Sequence, residues 1–195
     1  MSEYEMNPAR KAMIDSQLRT SGVNEEFVLA RMAAVPREDF VPADARPVAY
    51  MDRAIALGEG HFLAAPLFHG RMLAHAQPTA EDKVLVVEGG SSYLAELVRP
   101  LVAACDTVSA NDAANGIGKR KSYSLILVDG AVEQFPEALE KRLAEGGRVV
   151  CGLASRNVTR LAGGRKIAGT LALQPLAEIG IPVLHQFDKS PQWSF

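Results

Sequence analysis

The chain has 195 residues, of which 48% are hydrophobic and 23% are charged, as in an ordinary soluble globular domain. Its 21 Lys and Arg residues against 23 Asp and Glu residues give a formal charge of −2, which argues against an overall nucleic-acid-binding surface. The sequence has no run of 18 apolar residues that would predict a membrane span, and its first residues lack an apolar stretch typical of export signals.

The first third of the chain predicts helices that are joined by a proline-rich segment. Apolar residues recur there at helical spacing, and each proline disfavours helix in the residue that precedes it. The predicted elements are helices at 7–20 and 27–35, an extended irregular segment at 36–47, a strand at 54–57 and a helix from 66 to about 75.

A strand, a tight turn and a helix follow at residues 83–99, KVLVVEGGSSYLAELVR. The β-branched run ends at Gly89 and Gly90, and apolar residues resume at helical spacing from Tyr93. In an open α/β sheet, nucleotide-like ligands bind at such a turn, because glycine admits the ligand and helix N–H groups point at it. We therefore expect a ligand site here.

Strands alternate with helices beyond this turn, which predicts an α/β fold with a mainly parallel sheet covered on both faces. The further predicted elements are strands at 107–110, 124–128 and 148–151, an exposed loop at 111–122, a helix at 135–143, and a C-terminal hairpin with a last strand at 181–187. We expect one domain over 1–195, with an N-terminal helical cap at 1–78 and the sheet at 79–195.

Several strings along the chain match one known family. Residues 35–42 read VPREDFVP and residues 143–150 read LAEGGRVV, with shorter matches at 13–18, 49–52 and 123–136. The chain thereby resembles the protein-L-isoaspartate O-methyltransferase family over most of its length. The resemblance implies a class I methyltransferase fold with a Rossmann-like sheet. It also implies S-adenosylmethionine as cofactor and isoaspartyl carboxylates of damaged proteins or peptides as substrate.

The resemblance places the cofactor turn at residues 86–93. The family reads E-x-G-x-G-S-G-Y where this chain reads VVEGGSSY, so that Glu88 and Ser92 replace glycines and Val86 replaces an acidic residue. A shift of one residue restores part of the pattern, with Glu88 as the acidic residue. The cofactor-binding candidates at this turn are Glu88, Gly89, Gly90 and Ser91.

A second difference lies at residues 58–66, GEGHFLAAP, where the family reads G-x-G-Q-T-I-S-Q-P. Ala64 stands at the position of the family serine, so the hydroxyl that would position the substrate carboxylate is absent. Asp52 lies in the matching substrate-side segment. Asp52 and Ala64 therefore mark the expected catalytic positions.

A third difference is the short connection between the strands at 107–110 and 124–128. A complete crossover needs a dozen or more residues, so we expect the third strand and its helix to be missing from the sheet. Asp112 is either the ribose-binding acid of the cofactor site or a solvated loop residue. Asp129 follows a buried strand, and either faces a residual cofactor pocket or starts a turn with Gly130.

Two functions stay open at this point. The first is an active carboxyl methyltransferase that depends on S-adenosylmethionine. The second is a degenerate relative that keeps the fold, has lost its cofactor site and serves as a binding or assembly module. The sheet edge at 107–110 is a candidate surface for pairing with a second copy.

The remaining chemistry-bearing residues favour structural roles. The two cysteines lie beside apolar runs, which indicates free thiols in a cytoplasmic protein. We expect no metal site, because metal-ligand spacing is lacking among the four histidines, His61, His69, His75 and His185. No nucleic-acid or membrane partner is expected.

Overall fold

The N-terminal third of the molecule is mainly helical and packs on one face of a sheet. The structure is a computed structural model and describes residues 7–116 and 121–189. The elements of this third are α1 (Pro8–Ala12), which continues through a π-helical turn (Met13–Leu18) and a 3-10 turn (Arg19–Ser21), α2 (Glu26–Ala34), 3-10 turns at Arg37–Phe40 and Ala43–Val48, strands β1 (Ile55–Gly58) and β2 (His61–Leu63) of a hairpin, and α3 (Pro66–Ala76). The predicted helical cap is present.

The proline-rich segment is less extended than its composition predicts. Pro36 and Pro42 each precede a 3-10 turn, and their carbonyl oxygens accept hydrogen bonds from the N–H groups of Asp39 and Ala45. Since proline presets a φ angle near that of the first turn of a helix, it favours the start of these turns.

A six-stranded sheet forms the rest of the described chain. Its elements are β3 (Lys83–Glu88), α4 (Tyr93–Val98), a 3-10 turn (Arg99–Leu101), β4 (Ala104–Ser109), α5 (Ala110–Ala114), β5 (Tyr123–Val132), α6 (Glu137–Glu140), β6 (Leu143–Ser155), β7 (Val158–Ile167), β8 (Thr170–Glu178) and a 3-10 turn (His185–Phe187). The strand order is β4-β3-β5-β6-β7-β8, and β7 runs antiparallel to both neighbours. The predicted mainly parallel sheet is confirmed.

Among the described residues, the sheet contains no third-strand unit, as the short connection predicts. Both β4 and β5 pair in parallel with β3, so that Val86 lies opposite Thr107 on one side and Leu127 on the other. β4 is therefore an edge strand, and over the described ranges its connection to β5 contains α5 and no strand.

Both faces of β3 are buried in hydrophobic core. Val84 and Val86 pack in the cluster that contains α4 and the N-terminal helices, whereas Leu85 and Val87 pack in the cluster that contains α5. A strand that is covered on both faces reads as a continuous apolar run, which is why this stretch stands out in the sequence.

Two predicted elements differ from the structure because tertiary pairing extends or replaces them. The predicted loop at 111–122 begins within α5, whose Ala110 and Ala113 are buried against the sheet; residues 117–120 lie outside the described ranges. The predicted helix at 135–143 is reduced to the single turn α6, because Leu143 already pairs with Tyr123 as the first residue of β6.

The C-terminal prediction is correct for the hairpin and wrong for the last strand. β7 and β8 form the hairpin. The segment at 181–187 makes one bridge, between Val183 and Ala131, and then a 3-10 turn. Leu184 N–H donates to the Ala131 carbonyl, so this segment is anchored at one point on β5 and does not add a strand.

The structure bears on the state of the two cysteines and on the presence of membrane-spanning helices. Cys105 and Cys151 are free, and burial raises the pKa of the Cys151 thiol to about 12. Among the helices of the described chain, none has both the length and the apolar character that crossing a membrane requires.

Candidate active site

The carboxyl ends of β3 and β5 lie side by side where the connections of the sheet diverge. β3 leads to β4 at one edge, whereas β5 leads to β6 on the other side. Open α/β sheets bind ligands in the crevice at such a point. Val87 and Val128 are the last residues that pair between the two strands, so Glu88 and Asp129 come next at the same edge. β5 continues to Val132, so Asp129 lies within the strand and, contrary to one of the two expectations, does not start a turn with Gly130.

The turn after β3 requires glycine at two positions. A Cβ atom on Gly89 would lie 2.0 Å from the carbonyl oxygen of Asp129. Gly90 has a φ of +132°, and a Cβ atom there would lie 2.6 Å from the Cβ atom of His61 on the β1–β2 hairpin. The two glycines therefore let this turn close against β5 on one side and against the hairpin on the other.

Glu88 and Asp129 form a pair of neighbouring acids at this edge. Glu88 is half-buried, and Asp129 is buried with 3% of its surface exposed. The pKa of Glu88 lies above its usual value, first because burial penalises the carboxylate and then because Asp129 is negatively charged; Arg99 opposes these effects. The edge therefore presents concentrated negative charge.

A buried hydrogen-bonded chain holds Asp129 from behind. Asp129 Oδ1 lies 2.8 Å from His69 Nε2, and Arg37 Nη1 lies 3.3 Å from His69 Nδ1. Arg37 also donates from Nε to the Ala49 carbonyl at 2.9 Å and from Nη2 to the Ala64 carbonyl at 2.8 Å. Arg37, His69 and Asp129 thus connect the 3-10 turns of the cap to the part of β5 that continues past its pairing with β3.

The hydrogen bond with Arg37 determines the tautomer of His69. A guanidinium only donates hydrogen bonds, so His69 Nδ1 accepts from Arg37 and the ring proton resides on Nε2. His69 Nε2 then donates to Asp129 Oδ1. The second carboxylate oxygen, Asp129 Oδ2, is buried and has no hydrogen-bond partner among the described residues.

Tyr93 connects the hydrogen-bonded residues Arg37, His69 and Asp129 to the glycine turn. It is the first residue of α4, and its ring centroid lies 5.2 Å from that of His69 in an edge arrangement. The guanidinium carbon of Arg37 lies 4.9 Å from the Tyr93 centroid, a cation–π contact. The start of α4 and the buried chain are therefore packed as one unit.

Ala64 and Asp52 lie next to this unit at the start of α3. The side chain of Ala64 is buried, and its carbonyl binds Arg37 as described above. Asp52 is exposed, and its Oδ1 accepts from the N–H of Leu67 at 3.2 Å, where a negative charge is stabilised by the helix dipole. Both predicted catalytic positions thus border the candidate site.

A groove of about 950 Å³ runs beside these residues. The β1–β2 side contributes Asp52, Arg53 and Phe62, and the segment after β8 contributes Ile179 and Ile181. The groove is open, with apolar walls and charged groups at its rim, and its size is that of sites that bind small ligands or peptide segments.

Ser91 and Asp112 have simpler surroundings. The Oγ atom of Ser91 accepts from the N–H of Tyr93 at 3.2 Å and so supports the start of α4. Asp112 is exposed on α5, where its N–H donates to Ser109 Oγ at 3.0 Å. The structure therefore brings Glu88, Gly89, Gly90 and Asp129 together, and no hydrogen bond or ion pair among the described residues joins Asp112 to them.

Sequence reasoning missed Arg37 and His69 as parts of the site. The sequence favours a structural or surface role for His69, and Arg37 lies within the family string at 35–42 without an assigned role. A buried arginine has no local signature, because its carbonyl partners lie 12 and 27 residues further along the chain.

Comparison with known proteins agrees with this architecture. Residues 8–109 match the sequence model of the family described as Protein-L-isoaspartate(D-aspartate) O-methyltransferase (PCMT). The Protein-L-isoaspartate O-methyltransferase of Koribacter versatilis is 36% identical over 186 residues, which include 83% of this chain and 84% of that protein. The protein of the same name from Methanoculleus marisnigri is 29% identical over 203 residues, with 91% and 92% covered.

The alignments also bear on the missing strand. The first one runs over 186 residues but includes 83% of this 195-residue chain, so the relative has residues within the aligned region that this chain lacks. Such additional residues in the relative are expected if a strand and a helix are absent here.

A crystal structure described as a beta-aspartate methyltransferase (PCMT) from Plasmodium falciparum, in complex with S-adenosyl-L-homocysteine, has the same fold. Its TM-score with this chain is 0.72 at 17% sequence identity, and the match covers 91% of this chain and 98% of that one. With this sheet, this glycine turn and the matches along its sequence, the chain belongs to the protein-L-isoaspartate O-methyltransferase family.

Proposed function

We propose that this chain binds S-adenosylmethionine at the carboxyl edge of β3 and β5 and methylates isoaspartyl carboxylates of damaged proteins or peptides. The observation that carries the proposal is the position of two acids, Glu88 and Asp129, beside the glycine turn, at the point where the sheet connections diverge. Family membership supplies the identity of the cofactor.

The residues at this edge fit the amino-acid end of the cofactor. That end carries an ammonium group. The edge offers the half-buried carboxyl of Glu88 and Oδ2 of Asp129, which has no hydrogen-bond partner among the described residues. The cofactor would be held by Glu88, Gly89, Gly90, Ser91 and Asp129, with Asp112 as the proposed ribose contact. When bound, it supplies an electrophilic methyl group.

The groove of about 950 Å³ is the proposed binding site for the substrate peptide. An isoaspartyl carboxylate is already ionised at neutral pH, so methyl transfer to it requires positioning and no general base. Arg53 lies at the rim of the groove and attracts the carboxylate, while Phe62 and Ile181 contact the flanking peptide. This arrangement serves the reaction without the hydroxyl that Ala64 lacks.

Residues outside the groove support a cytoplasmic location as part of the same proposal. Cys105 and Cys151 are both free, and free buried thiols persist in a reducing compartment.

A second candidate function is a non-catalytic binding or assembly module. It is favoured by the alanine at position 64 and by the Gly90–His61 contact, which brings the hairpin close to the cofactor turn. In this alternative the fold is kept and the edge at β3 and β5 binds no nucleoside.

Calorimetric titration with S-adenosylhomocysteine distinguishes the two candidates. This product analogue needs no peptide substrate, and the first proposal predicts saturable binding with a micromolar dissociation constant. Incorporation of a labelled methyl group is then measured on an isoaspartyl peptide, with the aspartyl isomer as matched control. A lack of binding at millimolar ligand overturns the methyltransferase proposal in favour of the second candidate.

A further inference from the structure

We propose that Glu88 and Asp129 form a binding site for the primary ammonium group of the ligand's amino-acid end, and that His69 and Arg37 are positioning residues for Asp129. This inference rests on the proposed function and adds the residues of this chain that select the ligand. Glu88 offers its half-buried carboxyl and Asp129 offers Oδ2, so that two carboxylates share the ammonium group.

Asp129 has one oxygen engaged and one available. Oδ1 is occupied by His69 Nε2–H, while Oδ2 is buried without a hydrogen-bond partner in the described chain. Leaving a buried carboxylate oxygen unpaired is costly, so its presence points to a partner that arrives with the ligand. Close packing of Gly89 on the Asp129 backbone keeps this carboxylate next to the turn.

The buried chain orients Asp129 without cancelling its charge. His69 is neutral because its Nδ1 accepts from Arg37, and its ring separates the guanidinium from the carboxylate. Arg37 is itself held by the carbonyl oxygens of Ala49 and Ala64. The backbone of the cap therefore determines the position of Arg37. Arg37 in turn orients His69, and His69 orients Asp129.

The number of ligands argues for an ammonium group over a metal ion. The described residues contain no group of three or more His, Cys, Asp or Glu side chains that would hold a metal. Calcium and magnesium require about six oxygen ligands, whereas an ammonium group has three hydrogens to donate and is satisfied by two carboxylates.

The test compares two ligands that share their adenosine and thioether parts. S-adenosylhomocysteine carries the amino-acid end, and 5′-methylthioadenosine lacks it. We expect Glu88→Gln and Asp129→Asn each to weaken S-adenosylhomocysteine binding by about 10- to 100-fold in calorimetry, and to change methylthioadenosine binding less than about twofold. The exposed Asp15→Asn is the matched control and should leave both affinities unchanged.

The positioning role of His69 is tested by a pair of variants. A glutamine can accept from Arg37 and donate to Asp129, so His69→Gln should retain the preference for S-adenosylhomocysteine, whereas His69→Leu should lose it. A merely structural role predicts that His69→Leu weakens both ligands equally. Circular dichroism of each variant verifies folding. If the Asp129 variant does not fold, the Glu88 variant still tests the proposal, because Glu88 is only half-buried.

The outcomes separate this inference from the proposed function. If the unaltered protein binds S-adenosylhomocysteine and the Glu88 and Asp129 variants bind it equally well, the ammonium site is wrong and the proposed function stands. If a variant loses both ligands in parallel, the pair is structural and the inference is also wrong. If the unaltered protein does not bind S-adenosylhomocysteine, both fall together.

Discussion

Arg37 shows how a single residue joins the cap to the site. Its side chain is completely buried, yet it donates to two backbone carbonyls and to His69, and it contacts the ring of Tyr93. Burial is tolerated because these partners replace the hydration that the guanidinium loses. A charged side chain at this position therefore serves to hold other groups in place.

Replacing Arg37 should be severely destabilising. Arg37→Met leaves the Ala49 and Ala64 carbonyls and His69 Nδ1 without their buried donor, so we expect a loss of about 3 to 5 kcal/mol in the free energy of unfolding. Urea denaturation measures this loss. Arg46→Met, an exposed residue in the next turn of the cap, is the control and should change stability by less than about 0.5 kcal/mol. Similar values for the two variants would contradict the role given to Arg37.

Glu88 illustrates the opposite case, a residue whose charge costs stability. Its folded pKa is raised from the usual 4.5, by burial and then by Asp129, so ionisation favours the unfolded chain. The penalty is absent below pH 4.5 and complete above the folded pKa. Glu88→Gln should therefore raise the melting temperature at pH 7, and the gain over the unaltered protein should disappear as the pH falls below 4.5.

The measurement is a series of thermal unfolding curves between pH 4 and pH 7.5. Combined with weaker ligand binding, a more stable variant would show that Glu88 is kept for function. If Glu88→Gln melts at a lower temperature than the unaltered protein at pH 7, Glu88 is a structural residue.

At the scale of elements, the turn between β3 and α4 is defined by backbone contacts. Gly89 packs on the carbonyl oxygen of Asp129, and Tyr93 begins α4 directly after the turn. A glycine pattern in the sequence predicts that such a turn exists. The contact with β5 explains why Gly89 in particular has to lack a side chain.

We expect Gly89→Ala to lower the free energy of unfolding by about 2 to 3 kcal/mol, because its methyl group would meet backbone that cannot rotate away. Gly180→Ala is the matched control, since a Cβ atom there meets nothing within 4 Å and the φ angle is not in the left-handed region. That variant should be neutral or slightly stabilising. Chemical denaturation of both variants tests the expectation, and an equal response would show that the turn adapts easily.

At the scale of the whole molecule, one polar cluster attaches the cap to the sheet. Arg148 on β6 donates to the carbonyls of Ala76 and Gln77 at the end of α3 and binds both oxygens of Asp82. Ser124 at the start of β5 donates to the same carboxylate at 2.7 Å. Helix, strands and connecting loop therefore meet at a single carboxylate.

Asp82→Asn should weaken the molecule by about 3 kcal/mol at neutral pH. Burial alone would raise the pKa of Asp82, but hydrogen bonds from Arg148, Ser124 and the backbone of Thr79 outweigh it and hold the pKa well below the usual 3.8. The carboxylate therefore stabilises the fold fully above pH 3.8. This stabilisation is lost as the pH falls from 3.8 through the lower pKa of the folded protein. The gap in unfolding free energy between the unaltered protein and the variant should close in acid, and a gap that is constant with pH would contradict this assignment.

Some predictions from the sequence depend only on residues that are close together along the chain, whereas others depend on contacts between distant residues. The glycine turn, the buried run of β3 and the helix after it are local patterns, and all three are found where they were expected. The missing strand follows from chain length, because a short connection cannot contain it. The domain division at residue 78, the pairing edge on β4 and the roles of the site residues stay predictions.

The sequence by itself determined the family, the class of fold and the position of the glycine turn, because each depends on residue types at short spacing. Tertiary structure alone decided that His69 lies between Arg37 and Asp129, residues that are 32 and 60 positions from it along the chain. It also decided that α6 is one turn long, since Leu143 pairs with Tyr123 on a neighbouring strand. Such contacts are set by the way the sheet closes and the cap packs, and no local pattern encodes them.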